Sequence, residues 1–382
     1  MKKILIITME FPPQIGGIAT YVDQFASALE QDKTVVLAPN YKEKDFVEEF
    51  DKSRKYKIIR RDFLYPKFIW PRWLKLYFQV RKIVKEEKIE LIFINHVLPV
   101  GYIGSLIKKF LKVPFIIQSH GTDVTYATRT NWKKKRLRKI MLQTEQVVFN
   151  SESLKRRFLE KLPEFSDKSL VMYPCPDPDF LIPPPQDEIN ILRDKLALEG
   201  KKVILTVARM EDGKGFPHLV RALPEILKKE PHVVWIIVGD GPKREIVMKD
   251  IQARSFQNVV RYMGKIPHGD IKKYYYLADL FVLFTHPDEG REEGLGLVFL
   301  EAQSCGLPVV AGKSGGVEEA VINMQTGIVV DIRQKTNVTD ETVVEMLQNP
   351  EFAKSLAQNA QNRIKTEFIW EHQLVKLKKW LG

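Results

Sequence analysis

Glu293 and Glu301 are separated by seven residues in Glu293-Gly294-Leu295-Gly296-Leu297-Val298-Phe299-Leu300-Glu301. Gly294 and Gly296 let a ligand approach the backbone closely, and the pattern predicts a helix starting there. The exposed N–H groups and the dipole of a helix N-terminus suit a diphosphate. If every residue rose as in a helix, Glu301 would lie about 12 Å beyond Glu293, the scale of a ribose–diphosphate–hexose unit. One carboxylate could bind hydroxyls at the sugar end and the other at the ribose end. An acidic loop followed by a glycine-capped helix fits the same spacing.

Arg209 and Lys214 follow the run Val203–Val207, and Gly213 and Gly215 flank the lysine. Cations at the carboxyl end of a strand suit a diphosphate, and they stabilise charge that develops as a nucleoside diphosphate leaves. A solvated basic turn is the alternative. Gly239-Asp240-Gly241-Pro242 is a tight turn useful for backbone approach. In the first half, Pro12-Pro13-Gln14-Ile15-Gly16-Gly17 separates a strand from a helix, as a phosphate-approach loop would. Ser119-His120-Gly121-Thr122-Asp123 places His120 at another strand end, although a lone histidine usually has a structural task. Asp177-Pro178-Asp179 has the look of a metal-holding pair but lies in a proline-rich linker. No other cluster has metal-ligand spacing. The expectation is no metal and no cofactor, with Arg209, Lys214 and helix N-termini stabilising the leaving diphosphate.

Such groups need strands that end together. Short β-branched runs alternate with helical stretches in both halves, from Ile4–Thr8 to Leu170–Tyr173 and from Val203–Val207 to Gly327–Val330. Thr20–Glu30 and Trp73–Glu87 are two of the helical patterns. This alternation predicts parallel sheets covered on both faces. Pro174, Pro176, Pro178 and Pro183-Pro184-Pro185 mark a linker between the halves. The openings Lys2-Lys3-Ile4-Leu5-Ile6-Ile7-Thr8 and Lys201-Lys202-Val203-Ile204-Leu205-Thr206 look alike. In open parallel sheets a ligand sits outside the carboxyl ends of the strands. The expected fold is α/β, with two Rossmann-like domains facing across a cleft, residues 1–180 and 181–367.

The 382 residues carry a net charge of +12, and residues 1–180 hold all of it, with 33 Lys and Arg against 21 Asp and Glu. That asymmetry calls for an anionic partner on the first half. Residues 67–82 and 129–139 interleave Trp70, Trp73 and Trp132 with lysines and arginines, which suits an anionic bilayer interface; a core-facing helix with a solvated basic side is the alternative. No nucleic-acid motif accompanies them, so nucleic acid is not an expected partner. The apolar run after Met1-Lys2-Lys3 is too short for a signal peptide, and Leu91–Ile107 is interrupted by Asn95, His96 and Pro99. Two cysteines, Cys175 and Cys305, permit no disulfide framework. The expected setting is cytoplasmic, peripherally on the inner face of the membrane.

Taken in order, these motifs resemble family 4 glycosyltransferases of the GT-B architecture. The match includes Gly16-Gly17, His120 to Asp123, Arg209 with Lys214-Gly215, Gly239-Asp240-Gly241 and Glu293 to Ala302. It continues through Gly306-Leu307-Pro308-Val309-Val310 and Gly315-Gly316-Val317-Glu318-Glu319. Glu293 to Gly296 and Ala311 to Gly316 look most like bacterial phosphatidylinositol-mannoside mannosyltransferases. The resemblance implies a retaining hexosyltransferase, with mannose the best guess, that uses a nucleoside-diphosphate sugar and a lipid or glycan acceptor. By that resemblance Arg209 and Lys214 bind the diphosphate, Glu293 the sugar and Glu301 the ribose. Gly16 and Gly17 approach the phosphates, and His120 lines the sugar site. Gly239, Gly294, Leu295, Gly296 and Leu297 line the donor, and Ile266 meets the base through its backbone. Residues 368–382 resemble a terminal helix that crosses back to the first domain. Pro174-Cys175-Pro176-Asp177-Pro178-Asp179 departs from the Pro-Asn-Gly-Val-Asp of many relatives. Alternatives are transfer to a soluble saccharide or metabolite, and a non-catalytic nucleotide- or anion-binding protein.

Overall fold

The structure, a computed structural model, describes residues 1–14, 16–41, 44–98, 100–333 and 338–382. Ile15 and Pro99, named above, lie outside the described residues. The chain divides into two compact units, Met1–Pro174 with Trp370–Gly382, and Cys175–Ile369. The break falls inside the proline-rich stretch.

The first unit holds strands β1 Ile4–Ile7, β2 Thr34–Pro39, β3 Lys57–Arg61, β4 Leu91–Asn95, β5 Phe115–Ser119, β6 Val147–Phe149 and β7 Ser169–Val171. They form one parallel sheet in the order β3-β2-β1-β4-β5-β6-β7. All four residues of β1 are buried, because helices cover both faces of the sheet and a central strand needs apolar side chains in every position. The edge strand β3 is only partly buried and carries Lys57, Arg60 and Arg61. The helix expected over Thr20–Glu30 runs Gly17–Ala28, starting earlier because Gly16 is extended and serves as its N-cap. Trp370 packs on Tyr21 and Phe25 from that helix, both with ring centroids 5.7 Å away. The Lys2 N–H donates to the carbonyl of Leu381 at 2.7 Å. The Tyr173 N–H donates to Gln373 Oε1 at 3.0 Å.

The second unit holds β8 Lys202–Val207, β9 Val233–Val238, β10 Val260–Gly264, β11 Leu280–Leu283, β12 Val309–Gly312 and β13 Ile328–Val330, in the order β10-β9-β8-β11-β12-β13, again all parallel. β1 and β8, whose openings look alike in sequence, hold the same place in the two orders. Trp235 of β9 is fully buried, and its indole donates to Thr206 Oγ1 at 3.0 Å. That hydroxyl in turn donates to the carbonyl of Val282 at 2.6 Å, which ties three neighbouring strands together by side-chain bonds. In each order the direction of winding reverses once, at β1/β4 and at β8/β11. Ligands of open α/β sheets bind outside the carboxyl ends of the strands at such reversals.

Candidate functional site

In the second unit, the loops that leave β8 and β11 pack backbone against backbone. Gly215 has φ 73° and heads the helix Phe216–Lys229. A Cβ at Gly215 would come within 2.0 Å of the Phe284 carbonyl oxygen, and one at Gly312 within 2.2 Å of the Thr285 oxygen. At Gly239 the Ala208 oxygen would stand 2.0 Å from a Cβ, so the chain itself accounts for the glycine there. These contacts draw the strand-end loops together and fix where their polar side chains emerge.

Lys214 and Glu293 meet across those loops, with Nζ to Oε2 at 2.5 Å. Their side chains keep only 21% and 17% of their exposure. The Glu293 backbone is clamped on both sides. Its N–H donates to Ser314 Oγ at 3.1 Å, and its carbonyl accepts from the Gly316 N–H at 3.0 Å. Burial alone would lower the Lys214 pKa, but the Glu293 carboxylate outweighs it, and the net shift is upward. The ammonium is therefore kept charged. Arg209 takes a different position, 68% exposed and paired with Glu211 at 3.5 Å.

Gly296, φ 89°, caps the helix Leu297–Ser304, and its positive φ and the nearby Phe299 ring demand a glycine. Leu295 is buried and Leu297 half-buried. Further along the helix, Glu301 is buried, with both carboxylate oxygens engaged. Tyr275 donates its phenol to Oε2 at 2.8 Å, and His268 Nε2 lies 3.3 Å from Oε1. Burial, then the Glu301 charge, pushes the Tyr275 pKa well up. Phe180 closes over both partners, with ring centroids 5.6 Å from Tyr275 and 5.3 Å from His268. Tyr275 and His268 escaped the sequence reading; the only local signal was their place on a helix after β10. Among the described residues no hydrogen bond uses the Ile266 backbone.

In the first unit, Gly17 opens its helix with nothing within 4 Å of a would-be Cβ. Gly16 is extended, φ 171°. His120 is held from both sides. Asn150 Nδ2 donates to its Nδ1 at 3.0 Å, so Nε2 carries the proton and donates to Asn95 Oδ1 at 3.1 Å. Gln118 Nε2 fixes the Asn150 amide by donating to Oδ1 at 2.5 Å. Burial, then His96, holds the His120 pKa well below its ordinary value. Asn95 Nδ2 and Gln118 Oε1 are buried without partners among the described residues, leaving one donor and one acceptor in this cluster. Asp123 is structural. It accepts from Ser119 Oγ at 2.8 Å and from the N–H groups of Gly121, Val97 and Val124 at 3.0–3.1 Å, which joins the loops after β4 and β5.

The two basic, aromatic stretches each pack a helix on Gly101–Leu111 and divide their labour. Trp73 stacks on Tyr102 at 5.4 Å and packs against the core, so it faces inward. Arg72 precedes the helix Leu74–Glu86, which carries Lys75, Arg81 and Lys82. Arg72 Nε donates to the Tyr65 carbonyl at 2.7 Å, and its own carbonyl accepts the Tyr65 N–H, which closes a loop. Phe68 and Trp70 at the tip of that loop are 85% and 87% exposed. Arg136 lies near enough to Tyr102 to act on its phenol, which links the loop to the helix Asn131–Gln143. On that helix Arg136 covers the exposed Trp132 ring at 5.1 Å, and Lys133 sits 3.3 Å over Tyr126. Among the described residues no helix is long and apolar enough to cross a membrane. Among the same residues no group of three or more His, Cys, Asp or Glu side chains could hold a metal ion. Asp177 caps the short turn Pro178–Leu181, and Asp179 pairs with Lys272 at 2.6 Å.

Residues 15–180 match the family model described as Glycosyltransferase Family 4, and residues 188–363 match Glycosyl transferases group 1. The GDP-mannose-dependent alpha-(1-6)-phosphatidylinositol monomannoside mannosyltransferase of Mycobacterium tuberculosis is 27% identical over 100% of this chain and 98% of its own. The monoacylated-substrate counterpart of Corynebacterium glutamicum is 27% identical over 97% and 95%. Among solved structures, Anabaena HepE in complex with UDP and glucose has a TM-score of 0.84 at 20% identity, covering 100% of this chain and 99% of that one. The lipopolysaccharide-biosynthesis glycosyltransferase WaaG has a TM-score of 0.71 at 14% identity, covering 98% and 100%.

Proposed function

The chain belongs to the family 4 glycosyltransferases of the GT-B class, and from that premise we propose that it moves a hexose, mannose by preference, from a nucleoside-diphosphate sugar to a lipid-linked acceptor with retention of configuration. The observation that carries this reading is the half-buried Lys214–Glu293 pair at the β8/β11 reversal, where an open α/β sheet receives its ligand. Lys214 and the exposed Arg209 would take the diphosphate. Glu293 would take hydroxyls of the sugar. The helix that starts after Gly296 would turn its free N–H groups to the same anion.

Glu301 would hold the ribose through the lone pairs left after Tyr275 and His268 are served. The Ile266 backbone, unpaired among the described residues, suits the edge of a base. Gly17 leaves open space for phosphate, whereas Gly16 has Glu10 Oε2 3.8 Å from a would-be Cβ, and neutral His120, its ring nitrogens held by Asn95 and Asn150, would line the sugar site with its ring edge. Mannose and a lipid acceptor are supported by the names of full-length relatives at 27% identity. The exposed Phe68, Trp70, Trp132 and Tyr126 among cations support docking on an anionic membrane, in line with residues 67–82 and 129–139. Two free cysteines suit the cytoplasmic side.

A panel of nucleoside-diphosphate sugars tests the donor, because a ligand that binds only the folded chain raises its melting temperature. GDP-mannose is expected to give the largest rise, and radiolabelled mannose is expected in lipid extracted from membranes. Label that appears only in water-soluble saccharides would replace the lipid acceptor with a soluble one.

A further inference from the structure

Each cation on the loop after β8 already has a carboxylate beside it. Arg209 faces Glu211 at 3.5 Å and Lys214 faces Glu293 at 2.5 Å, and Lys243, on the neighbouring loop after β9, faces Asp212 at 3.0 Å. The site is self-neutralised, so an arriving diphosphate must compete with these acids. Glu211 and Asp212 belong to an exposed turn and can move off. Glu293 cannot retreat in the same way, because Ser314 and Gly316 hold its backbone from either side, and a Cβ at Gly315 would meet its carbonyl at 2.2 Å. Its backbone anchors the carboxylate within reach of Lys214.

That fixed acid treats two related ligands differently. In a sugar nucleotide the outer phosphate is esterified and carries one negative charge, and the sugar hydroxyls can donate to the carboxylate that Lys214 releases. A free nucleoside diphosphate has no such hydroxyls, and its terminal phosphate carries about 1.5–2 negative charges near neutral pH. It therefore sets extra charge against Glu293 and gives nothing back. Resting on the donor-site reading above, we propose that Glu293 is a specificity determinant that selects the sugar nucleotide against the nucleoside diphosphate left after transfer, and so hastens product release.

The test is calorimetric binding of GDP and GDP-mannose to the whole protein and to Glu293→Gln, Lys214→Met and the double variant, with circular dichroism and melting temperature confirming that each is folded. Glu293→Gln keeps the shape and removes the charge. It should tighten GDP by about tenfold or more, the scale of a charge-assisted contact, while GDP-mannose binds no tighter than before. In the Lys214→Met background the same change should shift GDP much less, because the contested cation is gone. Tightening of both ligands alike, or an unchanged ratio in Glu293→Gln, overturns the selection. If Glu293→Gln does not fold, Glu293→Asp is measured instead; it shortens the reach to Lys214 and should give the same sign. Wild-type protein that binds neither these ligands nor any other sugar nucleotide overturns the donor-site reading itself.

Discussion

Asn150 Nδ2 donates to Nδ1 of His120 at 3.0 Å, and this single bond decides which nitrogen of the ring carries the proton. With Nδ1 accepting and burial opposing charge, the imidazole stays neutral where an ordinary histidine begins to titrate. A folded-state pKa below the unfolded value of about 6.5 means that the unfolded chain binds more protons as the pH falls. Stability linked to His120 is thus complete above that value and is lost on acidification below it. His96 has the opposite sign: burial lowers its pKa but Glu10 and Asp123 raise it further, so its contribution is present in acid and fades as pH rises through the folded value. His120→Asn should lose less melting temperature than wild type between pH 7 and pH 5. An equal loss would contradict the neutral assignment.

Glu293→Gln should slow transfer strongly while nucleoside diphosphate still binds. A hydrogen bond to a charged group contributes about 1.5–3 kcal/mol, so the minimum expected loss in kcat is roughly 10–100-fold. Steady-state rates at saturating donor check this, and near-normal turnover excludes the role at the sugar.

Activity should survive EDTA, whereas Lys214→Ala should be nearly inactive. Lys214 and Arg209 leave the same strand end, where they would meet the diphosphate, and Lys214 is held charged by its partner. Complete inhibition by chelation that magnesium or manganese restores would overturn it.

Co-sedimentation with liposomes tests the docking surface. Wild type should bind vesicles that contain anionic lipid, and less so as salt rises, because exposed charges are screened over about 8 Å at physiological ionic strength. Phe68→Ser with Trp70→Ser should weaken binding without altering the fold, since both side chains are almost wholly exposed. Neutralising Lys133, Lys134, Lys135 and Arg136 should do the same. Indifference to all of these changes favours a soluble acceptor.

Gly215→Ala should destabilise the second unit by about 2–5 kcal/mol, because it adds a positive-φ penalty to an overlap with the Phe284 carbonyl. The urea midpoint should fall with little change in slope.

The strands named above were legible from their β-branched runs, because a parallel strand buried on two faces has little freedom in composition, and even the partly buried edge strand β3 keeps Ile58 and Ile59 among its cations. Glu293, Lys214 and Glu301 stood out for the same reason that they matter: charged residues among strand-end glycines. Their partners did not stand out. Asn95, Gln118 and Asn150 surround His120 only because β4, β5 and β6 lie side by side, and no periodicity announces a bond between residues on different strands. Tyr275 and His268 meet Glu301 for a similar reason, from another helix. Gly239 read as a point of backbone approach for ligand; that the Ala208 carbonyl also requires a glycine there is visible only once the loops are packed. Trp73 shared its basic neighbourhood with Trp70, but Tyr102, distant in sequence, decides that one turns inward and the other out.

The segment Trp370–Gly382 belongs to the first unit although the entire second unit lies between them in the chain. During synthesis, therefore, the second unit can finish folding while the first still lacks its last piece. Until then Tyr21 and Phe25 have no Trp370 to cover them, and the N–H groups of Lys2 and Tyr173 wait for Leu381 and Gln373. Residues 370–382, made after the second unit, thus act as a latch, and the unit expected to meet the membrane is completed only after the unit expected to hold the donor has been made.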